Sequence, residues 1–272
     1  MLSGRRFWKM TGSGNDFVFF DCRNEPAGAL TDPGVISAIC DRRRGVGADG
    51  IVLFESDPVH AFSIRYFNRD GSLAELCGNA SLCSVTLAAE LGAVKAQKSF
   101  TFLTTSGPLN GRMTEAVPQI EIAPVTQEAS SIDVPRKPGE KRIGFARVGV
   151  PHLVVLVDDV ETVDVATRGR ELRNWPTLAD GANANFVSRD GADWRIRTYE
   201  RGVEEETLAC GTGAVATCAL LTAWHLVPES VELKTRSGSV LRSSVANTPS
   251  DRPTLSGEGR LVYVGSLRNV LA

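Results

Sequence analysis

The sequence predicts an α/β protein of the α+β kind, built as two similar halves, and three observations predict it. First, one pattern occurs twice at an offset of 133 residues. RYFNRDGSLAELCGN from Arg65 lies over TYERGVEEETLACGTG from Thr198, so that Tyr66 meets Tyr199, Cys77 meets Cys210, Gly78 meets Gly211 and, further on, Leu87 meets Leu220. Second, each copy has the same order of elements: a strand-like run (AFSIRYF; DWRIRTY), polar turn residues, Cys-Gly, an apolar helix-like stretch, and a second strand-like run ending in T-x-S-G at Thr104 to Gly107 and Thr235 to Gly238. Third, strand-like content exceeds helical content, and the regular β-α alternation of a doubly wound sheet is absent.

The elements follow in order. The runs FVFFD, GIVLFE, HLVVLVDD, NFVSR and RLVYVG are short, rich in branched and aromatic residues, and separated by Gly, Asp and Pro turns, which reads as strands. The segment PVTQEASSIDVPRKPG (residues 124 to 139) holds three prolines and few large apolar residues, and reads as the linker. The first half therefore spans residues 1–124 and carries Cys77; the second spans 125–258 and carries Cys210. Residues 207 to 224 are free of charge over 18 positions, but their Gly, Thr and Ala content and the abutting Glu204, Glu205 and Glu206 indicate a buried helix rather than a membrane span.

Composition narrows the class. The 272 residues are 42% hydrophobic and 23% charged, ordinary for a globular protein. Thirty basic against 32 acidic residues leave a formal charge of −2, so neither nucleic acid nor an anionic membrane is expected as a partner. No apolar run of signal-peptide length follows the N-terminus, and a cytoplasmic location with reduced thiols is expected. With three histidines and no C-x-x-C, no metal site is expected.

Gly45, Gly47 and Gly50 satisfy G-x-G-x-x-G, but the order of strand and helix around them is reversed from that of a dinucleotide site. Gly211, Gly213 and Ala216 satisfy the G-x-G-x-x-A variant and open a helix, but glutamates rather than a buried strand precede them. Arg42, Arg43 and Arg44 read as a solvated loop.

Of six cysteines, Cys22, Cys40, Cys83 and Cys218 lie in apolar surroundings and read as core residues. Cys77 and Cys210 stand directly before Gly and a helix. There the helix dipole is expected to lower the thiol pKa below about 8.5. The unpaired first-turn N–H groups are suited to hold a carboxylate. If the halves face each other, two thiols reach one molecule from opposite sides. Inverting a carbon α to a carboxylate needs this arrangement, since one group removes the proton and the other returns one to the far face. Two buried cysteines related by duplication also fit these residues.

The motifs KMTGSGNDFVFFD (Lys9 to Asp21), NRDGSLAELCGN (Asn68 to Asn79), GVPH (Gly149 to His152), NANF (Asn183 to Phe186) and ERGVEEETLACGTG (Glu200 to Gly213) together resemble the diaminopimelate epimerases over essentially the whole chain. Proline racemases share the two-cysteine plan but carry C-G-H where Cys77-Gly78-Asn79 stands. Phenazine-biosynthesis-type isomerases share the fold but lack the cysteine pair.

The resemblance implies two pseudo-symmetric halves, each a curved, mostly antiparallel, barrel-like sheet around a central helix, with the active site in the cleft between them. It also implies that the last strand, about residues 259–272, returns to the first half. Cys77 and Cys210 would be the acid/base pair. His152 and Glu200 would act as proton acceptors that help form the thiolates. Gly78, Asn79, Gly211 and Thr212 would bind the reacting carboxylate, with Asn15, Asn68, Asn183 and Arg201 as further substrate ligands; Arg201 would take the distal carboxylate.

The implied activity is cofactor-independent interconversion of LL- and meso-diaminopimelate for lysine and peptidoglycan precursor synthesis. Pyridoxal phosphate is not expected, because Lys9, Lys95 and Lys98 lack a Schiff-base context. The partners expected are a small-molecule substrate and, as an assembly, a homodimer. Four features depart from the family pattern: Val150 where Asn is common, Leu82 where Arg is usual, Thr11 for a frequent His, and one extra residue between Arg201 and Cys210. All four touch the shell that selects the substrate. Other readings are a racemase for another amino acid, a thiol-disulfide redox protein using Cys77 and Cys210, and a non-catalytic amino-acid binder.

Overall fold

A computed structural model describes residues 2–74, 77–115, 117–246 and 251–268. The chain divides into two compact units, Met1–Ile120 with Gly257–Ala272, and Glu121–Ser256. The first unit contains β1 (Arg6–Gly12), β2 (Asn15–Asp21), α1 (Pro33–Cys40), β3 (Gly50–Glu55), β4 (Ser63–Asn68), α2 (Gly78–Glu90), β5 (Phe100–Thr104), β6 (Gly107–Met113) and β7 (Pro118–Glu121). The second contains β8 (Val125–Ala129), β9 (Glu140–Val148), β10 (Val150–Val157), α3 (Val165–Arg173), β11 (Asn183–Asp190), β12 (Asp193–Glu200), β13 (Glu205–Thr207), α4 (Gly211–Ala223), β14 (Ser230–Lys234), β15 (Val240–Ser244) and β16 (Thr254–Ser256). The final strand, β17 (Arg260–Ser266), pairs antiparallel with β1; residues 269–272 lie outside the described residues.

Strand pairing follows one order in both units. In the first, β17, β1 and β2 run antiparallel, β2–β3 is parallel, β3–β4 antiparallel, β4–β5 parallel, and β5, β6 and β7 antiparallel. In the second, β8, β9 and β10 run antiparallel, β10–β11 is parallel, β11–β12 antiparallel, β12–β14 parallel, and β14, β15 and β16 antiparallel. Parallel neighbours need a crossover. Each parallel step here is spanned by a helix, α1 and α2 in the first unit and α3 and α4 in the second.

The inner helices set the core. α2 touches β1, β17 and β6; α4 touches β8 to β11 and β14 to β16. Strands from opposite ends of a ladder meet one helix, so each sheet curls around it. α4 is buried on nearly all sides, in keeping with a sequence that is apolar all round. Its 13 residues span roughly 20 Å. Among the described residues no helix is long and apolar enough to cross a membrane.

The outer helices were not signalled by the repeat. α1 packs with Val18, Phe20, Ile51 and Leu53 on the other face of β2 and β3, which explains why those strands are apolar on both faces. Asp32 caps α1 by accepting from Gly34 N and Val35 N, with Pro33 at the first helical position. α3 covers β11 and β12 in the same way, packing with Val155, Phe186 and Tyr199. One reading is corrected: the proline-rich segment is not a bare linker, because Val125–Ala129 forms β8 and pairs with β9.

Candidate active site

Each inner helix presents its cysteine at the N-cap. Cys77 (φ −131°, ψ 114°) and Cys210 (φ −128°, ψ 111°) have matching extended backbones. The first helical bonds are Ser81 N to Cys77 O at 2.9 Å and Ala214 N to Cys210 O at 3.0 Å. The amides of Gly78, Asn79, Gly211 and Thr212 therefore precede the helical ladder. The T-x-S-G turns brace both approaches to the cysteines. Thr105 Oγ1 donates to Ala74 O at 2.9 Å, and Ser237 N donates to Leu208 O at 3.3 Å. Among the described residues no disulfide joins any of the six cysteines; Cys22, Cys40, Cys83 and Cys218 are buried, whereas Cys77 and Cys210 are half-buried.

In the first unit Cys77 Sγ accepts from Ala80 N at 3.5 Å. Asn79 is buried; its Nδ2 donates to Asn15 Oδ1 at 2.7 Å, and Asn15 Nδ2 donates to Asp49 Oδ2 at 3.0 Å. Asn15 is placed by the β1–β2 hairpin, whose two turn residues, Ser13 and Gly14, both have positive φ (53° and 100°) as this tight turn demands. Gly12 in the same motif lies against α2: a Cβ there would stand 3.0 Å from Asn79 O and from Cys83 Sγ. Asn68 ends β4 opposite Gly50, the residue after Asp49, and donates to Ser72 Oγ at 3.0 Å in its own turn.

In the second unit Glu200 ends β12, and its Oε1 accepts from Thr207 Oγ1 at 2.7 Å. Glu200 also hydrogen-bonds to Cys210; burial raises its pKa, while Thr207 and Cys210 oppose that rise. The Cys210 thiol is pushed well up, first by burial and then by the Glu200 charge, against the Gly213 N–H and the Thr212 hydroxyl. This overturns the expectation of a lowered pKa at Cys210. The helix terminus acts as supposed, but burial and an adjacent carboxylate outweigh it.

His152 on β10 is fully buried, and its pKa falls to about 3 through burial and the nearby Arg201 charge. Its Nδ1 lies 3.3 Å from Asn185 Nδ2. Asn183 Oδ1 accepts from Arg201 N at 2.7 Å, and Arg201 Nη1 donates to Asp180 O at 2.9 Å. Asn183 is thus tied to Arg201, and Cys210 to both Glu200 and Thr212. Sequence reasoning missed Asn185, Thr207 and Asp49 as partners; Asn185 and Thr207 sit within motifs already singled out.

The glycine motifs have structural explanations. The N–H groups of Val46 and Gly47 donate to Ile39 O and that of Ala48 to Cys40 O, so this loop closes the end of α1 and its amides are occupied. The departures also find places. Leu82 is fully buried, and Thr11 Oγ1 donates to Asn15 O at 3.1 Å. Glu204 takes positive φ (62°) in the β12–β13 turn, where it accepts from Arg173 Nε at 2.8 Å.

Comparisons with known proteins give the family and the fold. The sequence model for diaminopimelate epimerase matches residues 7–125 and 144–260. A diaminopimelate epimerase from Gemmatimonas aurantiaca is 44% identical, with 96% of this chain and 98% of that protein covered. One from Aquifex aeolicus is 41% identical over 86% and 88%. Solved structures share the fold at low identity. A phenazine biosynthesis protein from Bacillus anthracis superposes with a TM-score of 0.70 at 14% identity, covering 97% and 99%. A hydroxyproline epimerase from Agrobacterium vitis superposes with 0.63 at 16%, covering 96% and 91%. With the repeated Cys-Gly helices, these matches show that the chain belongs to the diaminopimelate epimerase family.

Proposed function

We propose that the chain interconverts LL- and meso-diaminopimelate by a two-thiol acid/base reaction without pyridoxal phosphate, supplying lysine and peptidoglycan precursors. The observation that carries this reading is the matched pair of N-cap cysteines, one per unit, on otherwise buried helices. In the reaction one sulfur, as thiolate, takes the α-proton, and the other, as thiol, delivers a proton to the opposite face of the carbon. In the reverse direction the roles exchange.

The α-proton of an amino acid is a very weak acid, so the carbanion must be stabilised by fixed dipoles. The amides of Gly78, Asn79, Gly211 and Thr212 are proposed to hold the reacting carboxylate, where charge accumulates. Glu200 is the proton acceptor for Cys210. The hydrogen bond between them gives the thiol proton a direct path to the carboxylate, while the Glu200 charge raises the thiol pKa. Asn15, Asn68, Asn183 and Arg201 are proposed as substrate ligands, with the Arg201 guanidinium for the distal carboxylate.

Both sulfurs must be reduced for turnover, which suits a cytoplasmic enzyme. A homodimer would cover Val262, Tyr263 and Val264, which are exposed on β17; light scattering at micromolar concentration tests that assembly. A panel of amino acids incubated in heavy water tests the substrate: deuterium should enter Cα of diaminopimelate, and faster uptake by another amino acid would overturn that choice.

A further inference from the structure

We propose that Asn185 is a positioning residue: it fixes the His152 ring as the Nε2–H tautomer and so makes His152 a hydrogen-bond donor to the reacting anion. This rests on the epimerase reading for what His152 serves, but the tautomer itself follows from unit-2 geometry alone.

Asn185 is fully buried on β11. Its Nδ2 lies 3.0 Å from Leu153 O. A backbone carbonyl only accepts, so the amide NH2 must face β10. The same NH2 is 3.3 Å from His152 Nδ1 and directs its second hydrogen there. Nδ1 is therefore the lone-pair nitrogen. The other end of the amide agrees: Oδ1 accepts from Thr198 Oγ1 at 3.0 Å. That oxygen is also wedged into the first turn of α4, since a Cβ on Gly213 would stand 2.3 Å from it. Asn185 thus ties the His152 ring to the turn that carries Cys210.

With Nδ1 accepting, the hydrogen of the neutral ring sits on Nε2. Nε2 is buried and has no hydrogen-bond partner among the described residues. It is a donor held ready for an acceptor that arrives with the reaction, either a thiolate or the substrate carboxylate. Accepting a proton at Nε2 would instead have to start from a neutral ring with Nδ1–H, which would face the Asn185 N–H, and would end as an imidazolium, which burial and Arg201 oppose. This replaces the proton-acceptor role expected for His152. The donor role moves no proton; it stabilises an anion that another group has formed.

The test is long-range 1H–15N spectroscopy of the full chain labelled with 15N-histidine, with the His152 signals assigned by their loss in His152→Gln. The wild type should show a protonated Nε2 and an unprotonated Nδ1 at neutral pH. Asn185→Asp turns the donor into an acceptor and should move the proton to Nδ1. It should also lower kcat roughly tenfold with KM changed less than about threefold. A merely structural role would lower stability without exchanging the two nitrogen signals. Protonated Nδ1 in the wild type, or an unchanged tautomer in Asn185→Asp, would overturn the proposal. If Asn185→Asp fails to fold, the wild-type spectrum decides. A protein that shows the Nε2–H tautomer yet fails to epimerise diaminopimelate would contradict the substrate reading and leave the positioning role standing.

Discussion

The two units repeat a ladder of strands but not the chemistry around the helix that begins at Cys-Gly. At the start of α2 the described side-chain contacts join two neutral amides, Asn79 and Asn15, to the Asp49 carboxylate. Around α4 the groups are titratable or charged: Glu200 on Cys210, with His152 and Arg201 behind. The ladders also differ, since the strand equivalent to β8 in the first unit is β17, from the far end of the chain, and β13, paired with β12, has no counterpart among the named strands of the first unit. Duplication preserved the frame that aims a thiol and its first-turn amides. The side chains on that frame differ: an Asn79–Asn15–Asp49 chain beside α2, and Glu200 hydrogen-bonded to Cys210 beside α4.

The most severe way to break this comparison is to treat the thiols alike. Cys77→Ser and Cys210→Ser should each lower epimerisation by at least about 10³-fold, since both proton carriers are needed in every turnover. Circular dichroism should show both variants folded. A large loss at one cysteine only would mean that the halves are not chemically paired.

Glu200→Gln sharpens the difference. It should lower kcat by about 10²-fold while lowering the Cys210 pKa, because the charge that raises the thiol is gone. Thiolate absorbance against pH measures the second effect. Asn79→Ala, in the first unit, should instead act mainly on KM, by roughly tenfold, in steady-state kinetics.

Two glycines compare the halves by packing. Gly213→Ala places a Cβ 2.3 Å from Asn185 Oδ1, whereas Gly12→Ala places one 3.0 Å from Asn79 O and Cys83 Sγ. Overpacking of this kind costs about 1–3 kcal/mol. Gly213→Ala should lie at the upper end and Gly12→Ala near the lower, as read by urea unfolding.

The mildest effect at neutral pH is carried by His152, whose pKa falls from 6.5 to about 3 on folding. As pH drops from 6.5 toward 3 the unfolded chain takes up a proton that the folded ring refuses. The stability is therefore present above 6.5 and is lost through that window, by as much as roughly 5 kcal/mol. His152→Leu should flatten this slope in pH-dependent denaturant melts.

The Cys-Gly helices were legible in the sequence because their signals are local: a fixed offset, an apolar run and a turn. Core placement of Cys22, Cys40, Cys83 and Cys218 followed from apolar neighbours for the same reason. α1 and α3 were not legible. They are eight and nine residues long and gain their stability from β2, β3, β11 and β12, which no periodicity reveals. The direction of the Cys210 pKa was misread because it depends on burial and on Glu200, ten residues earlier, brought close by the β12–β13 turn. The Asn79–Asn15–Asp49 chain joins residues 64 and 34 apart in sequence, a pairing set by the fold.

The most direct test of the central claim is deuterium incorporation at Cα of LL-diaminopimelate in heavy water, by the wild type and by the two Cys→Ser variants. The account predicts that the wild type yields meso product carrying deuterium and that neither variant yields product at a comparable rate. Near-normal epimerisation by Cys77→Ser or Cys210→Ser, or meso product without deuterium, would contradict it.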